Sequence, residues 1–174
     1  MEHLWSPWRM AYLRGDDSPA ATDRLPATGM LSSPGCIFCD KPRESRDREN
    51  LIVHRAERAF VILNLYPYNN GHLMVVPYQH VPSFEQLDEP ALAEVMRLLN
   101  QGVAALRKVY NPQAFNLGAN IGQAAGAGIA DHVHMHIVPR WAGDTNYMAT
   151  VAGTRVIPED LQETYRQVQA AWPR

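Results

Sequence analysis

The sequence predicts an α+β fold, with an antiparallel sheet of about five strands that carries one long helix and a C-terminal helix. Three observations support it: short apolar segments follow one another through short polar turns, one long segment has helical periodicity, and a second such segment ends the chain. Short connections favour antiparallel pairing of successive strands, and the helices would pack on one face of the sheet.

Five segments have the composition of strands. The first two are residues 51–55 and 60–66, and a turn cluster at 67–71 leads into a third at 72–77. The remaining two are predicted near 115–119 and from about 132 to 138. A loop that contains Gly122, Gly126 and Gly128 separates these last two strands.

The long helix is predicted to begin after Asp88, which can cap it, with Pro90 in the first turn. It is predicted to end at Asn111-Pro112. Its apolar residues recur at helical spacing and should form a buried stripe: Leu92, Val95, Met96, Leu99, Val103, Leu106 and Tyr110. The C-terminal helix is predicted to open at Pro158, with Leu161, Tyr165, Val168 and Trp172 as its stripe.

Length and charge exclude several classes of protein. A chain of 174 residues suits one domain, and 16 Lys and Arg against 18 Asp and Glu lack the basic excess of a nucleic-acid-binding groove. No apolar run approaches the ~20 residues that cross a bilayer, and the N-terminus does not resemble a signal peptide. We therefore expect a cytoplasmic protein that binds neither nucleic acid nor membrane.

Composition divides the chain into three parts. Residues 1–35 read as an N-terminal arm and loop, in which Trp5 and Trp8 are expected to pack on the domain or on a partner subunit. Residues 36–145 form the main domain, and residues 146–174 form a C-terminal segment whose helix packs on it.

Three histidines alternate with apolar residues in His132-Val133-His134-Met135-His136. In a strand, successive side chains point to opposite faces, so the three imidazoles would share one face while Val133, Met135 and Ile137 enter the core. Such a cluster can bind a metal, bind phosphates, or supply a nucleophile with its proton donors. A solvated polar face is the structural alternative, and three histidines at strict period two after a glycine-rich loop disfavour it.

Cys36 and Cys39 are the only cysteines. A Cys-x-x-Cys pair in a chain without an export signal favours metal binding or redox chemistry over a structural disulfide. A structural zinc site needs four nitrogen or sulfur ligands, so two histidines would complete it. His54, His72, His80 and the three clustered histidines are the candidates.

The segment from His132 to Val138 matches the His-φ-His-φ-His-φ-φ signature, where φ is apolar, and the chain resembles the histidine triad (HIT) family. Further likeness lies in Cys36-Ile37-Phe38-Cys39, in Ile62 to Tyr68, in Gly71 to Pro77 and in Pro139-Arg140-Trp141, and it spans roughly residues 36–145. Leu4 to Met10 and Asn64 to Pro77 resemble the bacterial branch that includes diadenosine tetraphosphate phosphorylases and hydrolases. The resemblance implies a homodimer whose sheet extends across the interface.

The resemblance also implies an enzyme that transfers or hydrolyses a nucleotidyl group of a dinucleoside polyphosphate or a nucleoside phosphoramidate. His134 would be the nucleophile that takes the nucleotidyl group, and His136 and His72 would line the phosphate site. Water as acceptor would make the protein a hydrolase, and inorganic phosphate would make it a phosphorylase. A purine nucleotide is the expected ligand, and Mg²⁺ could accompany the polyphosphate.

Binding roles follow from the same resemblance. Asn64 would hold the ribose hydroxyls, Asn120 would reach the phosphate or leaving group, and backbone N–H groups at Gly126 and Gly128 would face anionic oxygens. Many family members carry Gln, Ser or Thr shortly before the triad. Residues 126–131 contain none of these, and Gln123 is the substitute that we consider. Structural zinc would be held by Cys36, Cys39, His80 and His132.

Two other functions stay open at this point. The missing hydroxyl or amide before the triad is compatible with a nucleotide-binding HIT protein whose catalysis is weak or vestigial. A metallohydrolase that places all three histidines on one catalytic ion is the other reading.

Overall fold

The computed structural model describes residues 35–145, 151 and 157–173. Its sheet has five strands in the order β1-β2-β3-β5-β4, and every neighbouring pair is antiparallel. The bounds are Ile52–Arg55 (β1), Ala59–Leu63 (β2), Leu73–Pro77 (β3), Ala114–Gly118 (β4) and Met135–Arg140 (β5). The predicted α+β fold with a five-stranded antiparallel sheet is therefore confirmed.

Four α-helices accompany the sheet among the described residues: Ile37–Asp40 (α1), Asp47–Asn50 (α2), Glu89–Tyr110 (α3) and Leu161–Ala171 (α4). Short 3₁₀ turns lie at Lys41–Arg43, Phe84–Gln86 and Gln123–Ala125. Asp88 caps α3 as predicted, because its carboxylate accepts from the Ala91 N–H at 2.8 Å. None of the described helices has the length and apolarity that crossing a membrane requires.

The C-terminal helix begins later than predicted. Asp160, and not Pro158, stands at its start, because the Asp160 carboxylate accepts from the N–H groups of Gln162 and Glu163. The helix packs against α3 and β1.

The prediction that Met96 belongs to the buried stripe of α3 is wrong, since its side chain is 54% exposed. The helix is rotated so that Ala91, Leu98 and Ala105 lie on its buried face, and Leu98 is fully buried. Gly102 lies on this face too, where an added Cβ would come within 2.6 Å of the Ile137 Cδ1. Small residues on α3 thus let it approach β5 closely.

The prediction that the last strand starts at His132 is also wrong. β5 starts at Met135, and Val133 instead donates its N–H to the Val81 carbonyl at 2.8 Å, outside the β3–β5 ladder. The buried Val133 packs in a small cluster of its own with Val81, Leu87 and Ala91. Met135 is only half-buried, whereas Ile137 lies in the main core.

Trp5, Trp8 and the predicted N-terminal loop, apart from Gly35, lie outside the described residues. The same holds for residues 146–150 and 152–156, which are half of the segment between β5 and α4. The packing expected of the two tryptophans therefore stays a prediction.

Candidate active site and metal centre

Two cysteines and two histidines converge at one end of the sheet. The ligand atoms of Cys36, Cys39, His80 and His132 all lie within 4.8 Å of one another. α1 brings the cysteines together, since the Cys39 N–H donates to the Cys36 carbonyl at 2.9 Å. Among the residues that the structure describes, this is the one group of three or more potential metal ligands that converges in this way.

The distances within this cluster fit a tetrahedral ion. Cys36 Sγ lies 3.4 Å from His132 Nδ1, Cys39 Sγ lies 3.3 Å from His80 Nδ1, and the two Nδ1 atoms are 3.2 Å apart. Ligand atoms around tetrahedral zinc, with bonds of about 2.0 to 2.3 Å, are separated by about 3.3 to 3.8 Å. The donor set and its spacing therefore suit zinc.

The second ring nitrogen of His132 is hydrogen-bonded. His132 is fully buried, and its Nε2–H donates to the Pro77 carbonyl at 2.8 Å. Because a carbonyl can only accept, this bond leaves the Nδ1 lone pair directed at the cysteines. Burial lowers the pKa of His132 to about 4, so the ring is neutral and able to bind a metal near pH 7.

His134 has the opposite arrangement of its two nitrogens. Its Nδ1–H donates to the His132 carbonyl at 2.9 Å, so the lone pair is on Nε2. The side chain is 5% exposed, and burial lowers the pKa of His134. The neutral ring thus carries an unshared electron pair on one defined atom, which is what a nucleophile requires.

His72, which directly precedes β3, forms a hydrogen-bonded pair with His136 on the neighbouring strand β5. The Tyr68 N–H donates to His72 Nδ1 at 3.0 Å, so His72 carries its proton on Nε2. His72 Nε2 lies 2.9 Å from His136 Nδ1, which must accept. Neutral His136 therefore carries its proton on Nε2. Burial, with a smaller effect of His134, lowers the pKa of His136 to about 4.

The structure thus brings His72, His134 and His136 together as predicted and separates His132 from them. The His134 and His136 ring centroids are 4.9 Å apart, and those of His72 and His136 are 5.0 Å apart. His54, another candidate metal ligand, stacks on Trp172 instead.

Phe38 connects the cysteine pair to the triad, and the sequence reasoning gave it no role. Its ring centroid lies 4.9 Å from that of His134 and 5.5 Å from that of His132, and its side chain is 1% exposed. Its place between the two cysteines was the available signal, because a helical turn that holds both cysteines on one ion also fixes the residue between them.

The residues expected to bind nucleotide do not all lie beside the histidines. The Asn64 side chain accepts from the Tyr66 N–H at 2.9 Å, and its Nδ2 lies 3.4 Å from His72 Nδ1. It is therefore beside His72, one of the two histidines predicted to line the phosphate site. Asn120 donates to the Gly126 carbonyl at 3.4 Å and so braces the glycine-rich loop, while Gln123 is exposed on that loop.

The loop itself offers fewer free donors than its composition implies. The N–H groups of Ala125, Gly126 and Ala127 all donate to carbonyls of Gly122 and Gln123. Gly122 and Gly126 have positive φ, which permits this tight turn. The Gly126 N–H is thus bonded within the loop. Gly128 is exposed, and a Cβ added there would have no heavy atom of the described residues within 4 Å besides its chain neighbours.

Comparison with known proteins agrees with this geometry. Residues 45–143 match the HIT domain. The chain belongs to the HIT family. Over its full length, the chain is 40% identical to a Mycobacterium tuberculosis protein named AP-4-A phosphorylase. The match covers 86% of that protein.

Two solved structures extend the HIT comparison to three dimensions. A histidine triad nucleotide-binding protein from Sulfolobus tokodaii superposes with a TM-score of 0.64 and 28% identity, covering 78% of this chain and 91% of that one. A Zn-bound histidine triad protein from Mycobacterium smegmatis superposes with a TM-score of 0.63 and 27% identity, covering 79% and 92%. The HIT fold of this chain is thereby established.

Proposed function

We propose that this HIT protein transfers a nucleotidyl group from a dinucleoside polyphosphate, or from a nucleoside phosphoramidate, through a covalent intermediate on His134. The observation that carries the proposal is the His134 Nδ1–H bond to the His132 carbonyl, at 2.9 Å, because it leaves the lone pair on Nε2. The full-length similarity to an AP-4-A phosphorylase supports inorganic phosphate as the acceptor.

The first step forms a bond between His134 Nε2 and the α-phosphorus and breaks the bond to the bridging oxygen. With diadenosine tetraphosphate the leaving group is ATP, and AMP stays on His134. His136 Nε2–H supplies a hydrogen bond to the phosphate oxygens, and His72 holds His136 in the tautomer that can do so. Phosphate then attacks the same phosphorus, releases His134 and leaves as ADP.

The binding roles belong to the same proposal. Asn64 holds the ribose hydroxyls, and Asn120 shapes the loop that faces the leaving group, with Gln123 and Gly128 at its surface. The nearness of Asn64 to His72 supports the first role. A Mg²⁺ ion on the polyphosphate stays a prediction.

Zinc held by Cys36, Cys39, His80 and His132 is the proposed cofactor. Four protein ligands leave no open position, so the ion would be structural. It would hold α1, and with it Phe38, against the triad, and would not take part in the reaction. The converging ligand atoms and the Zn-bound relative from M. smegmatis support this assignment. The separate bonds of His134 and His136 count against one catalytic ion on all three histidines.

A two-fold dimer with a sheet continued through β4 completes the proposal. β4 is an edge strand, and four of its five residues are exposed. The other edge strand, β1, is buried or half-buried along its length. Light scattering on the zinc-loaded protein would measure the mass, and a Leu117→Pro variant, which interrupts the β4 edge, should be monomeric. A monomeric wild type would contradict the dimer.

Product analysis tests the function. With diadenosine tetraphosphate and phosphate we expect ADP and ATP, and the phosphate-free reaction should yield neither ADP nor rapid turnover. AMP and ATP without phosphate would instead identify a hydrolase. Nucleotide binding with no product under either condition would favour the alternative of a HIT protein with vestigial catalysis.

His134→Ala should abolish turnover and the nucleotidyl-protein adduct seen by mass spectrometry, while nucleotide binding persists. His54→Ala is the matched control, because His54 stacks on Trp172 away from the site. Full activity in His134→Ala would refute the proposed nucleophile.

A further inference from the structure

A compact polar cluster lies where the turn between β2 and β3 meets the end of β5. The Asn69 amide donates to the Asp144 carboxylate at 3.0 Å and to the Pro139 carbonyl at 3.2 Å. One side chain of the turn is thus bonded once to the end of β5 and once to the segment that follows it.

Asp144 is held firmly at its own end of this contact. Arg140 donates to both of its carboxylate oxygens, at 2.6 and 2.8 Å, and the Trp141 N–H donates to one of them at 3.2 Å. The Asp144 side chain is 11% exposed, and the Arg140 guanidinium holds the pKa of that carboxyl well below its usual range. Asp144 is therefore a fixed, charged acceptor for Asn69.

Asn69 in turn fixes the backbone that precedes His72. Its carbonyl accepts from the His72 N–H at 3.3 Å, and its Oδ1 accepts from the Asn70 N–H at 3.1 Å. On the other side, an added Cβ at Gly71, whose φ is +72°, would lie 2.7 Å from the Leu106 Cδ2. The turn is thus confined between α3 and the end of β5.

The reactive consequence lies in one backbone N–H of this turn. The Tyr68 N–H donates to His72 Nδ1 at 3.0 Å, and the Asn64 amide nitrogen lies farther from the same atom, at 3.4 Å. The Tyr68 bond is therefore the shorter of the two contacts that keep the proton of His72 on Nε2. If the turn moved, His72 could carry its proton on Nδ1 and its Nε2 would become an acceptor. His136 would then have to place its own proton on Nδ1, and its Nε2 could no longer donate to a phosphate.

We propose that Asn69 and Asp144 are positioning residues that set the tautomer of His136 through the Tyr68 N–H and His72. Neither residue touches the reacting atoms in this arrangement. The kinetic consequence rests on the proposed function, whereas the tautomer itself does not.

Ring ¹⁵N NMR of the zinc-loaded protein tests the tautomer directly at pH 7. Wild-type His72 and His136 should each show a protonated Nε2 and an unprotonated Nδ1. Asn69→Ala should convert both rings to a mixture of tautomers, and the matched Asn70→Ala control should keep the wild-type pattern. Asn70 lies in the same turn, but its buried Oδ1 has no hydrogen-bond partner among the described residues.

Kinetics provide the second readout. Loss of the one hydrogen bond from His136 Nε2–H to the phosphate should lower kcat with diadenosine tetraphosphate about fivefold in Asn69→Ala. KM should stay within about twofold, because the groups that bind the nucleotide are unchanged. Asp144→Ala leaves the turn sequence intact and should reproduce the result, which keeps the test decisive if Asn69→Ala does not fold.

Wild-type ring shifts in both variants would overturn the proposal, as would an equal change in Asn70→Ala. A wild-type protein without turnover would refute the proposed function and leave the NMR test of the tautomer standing. A changed tautomer with unchanged kcat would refute the link to catalysis.

Discussion

Replacing Gly102 with alanine tests the packing of α3 beneath β5. The new Cβ would lie 2.6 Å from the Ile137 Cδ1 and 3.5 Å from the Leu73 Cδ1. Carbon atoms pack at about 3.5 to 4.0 Å, so the Ile137 side chain must retreat by roughly 1 Å in a full core. Overpacking of this kind costs about 1 to 3 kcal/mol, and the helical preference of alanine over glycine offsets about 0.5 to 1 kcal/mol.

The expected result for Gly102→Ala is therefore a loss of about 0 to 2.5 kcal/mol in the free energy of unfolding. Ile137→Val alone should cost about 0.5 to 1.5 kcal/mol, because it leaves a small cavity. In the double variant the Cδ1 is absent, so the alanine should no longer clash and the combined loss should be smaller than the sum.

Urea unfolding of the zinc-loaded protein, followed by tryptophan fluorescence, measures all three free energies. Gly118→Ala is a control for the substitution itself, since no heavy atom of the described residues other than its chain neighbours lies within 4 Å of its added Cβ. Losses that add within about 0.3 kcal/mol would refute the contact, as pairs in contact are expected to couple.

Four further outcomes follow from the same contacts. Chelation of zinc should lower the melting temperature and remove activity in parallel; loss of activity with an unchanged melt would point to a catalytic metal. Phe38→Leu should keep about one zinc per chain but lose about 1 to 2 kcal/mol of stability and slow formation of the nucleotidyl-protein adduct, as measured in single-turnover mixing. Glu94→Gln should cost about 1 to 3 kcal/mol in urea unfolding, because the buried Glu94 carboxylate accepts from two backbone N–H groups of the β1–β2 turn; a loss below about 0.5 kcal/mol would contradict this. The pKa of His136 is lowered to about 4 in the folded chain, against about 6.5 in the unfolded chain, so the folded state binds this proton less readily. The free energy of unfolding should therefore fall by on the order of 1 kcal/mol per pH unit as the pH decreases from about 6.5 to about 4. His136→Gln should show a shallower slope.

Much of the fold could be predicted because its signals are local. The long helix is predicted to within a few positions because Asp88 precedes a segment with helical periodicity. The strands are predicted equally well because turn residues separate their short apolar runs. The rotation of α3 about its axis was harder to predict. Met96 and Leu98 are both apolar, and only the close approach at Gly102 selects Leu98 for the core.

Glu94 illustrates a signal that was present but unused. Acidic residues on a long helix are usually solvated, yet Glu94 follows Ala91 by three positions and precedes Leu98 by four, on the face that the structure buries. A carboxylate on that face needs donors, and the β1–β2 turn provides them.

The different roles proposed for the histidines could not be predicted from residue spacing, because they rest on contacts with the backbone. Alternation placed three imidazoles together, and the family resemblance assigned His132 to metal. The acceptors that fix the ring protons are backbone carbonyls of Pro77 and His132, and backbone groups have no sequence signature. The break before Met135 has the same origin, since Val133 pairs with Val81.

The order of strands has a consequence for how the molecule opens. β3 and β5 each have a neighbour on both sides, and His72 and His136 stand on or beside them. Amides in such strands exchange with deuterium only in rare, extensive openings, whereas turns and edges exchange readily. We therefore expect His136, and His72 beside β3, to lie in the slowest-exchanging part of the sheet. Under the proposed function, the motions that admit a nucleotide and release its products would then occur in the surrounding turns.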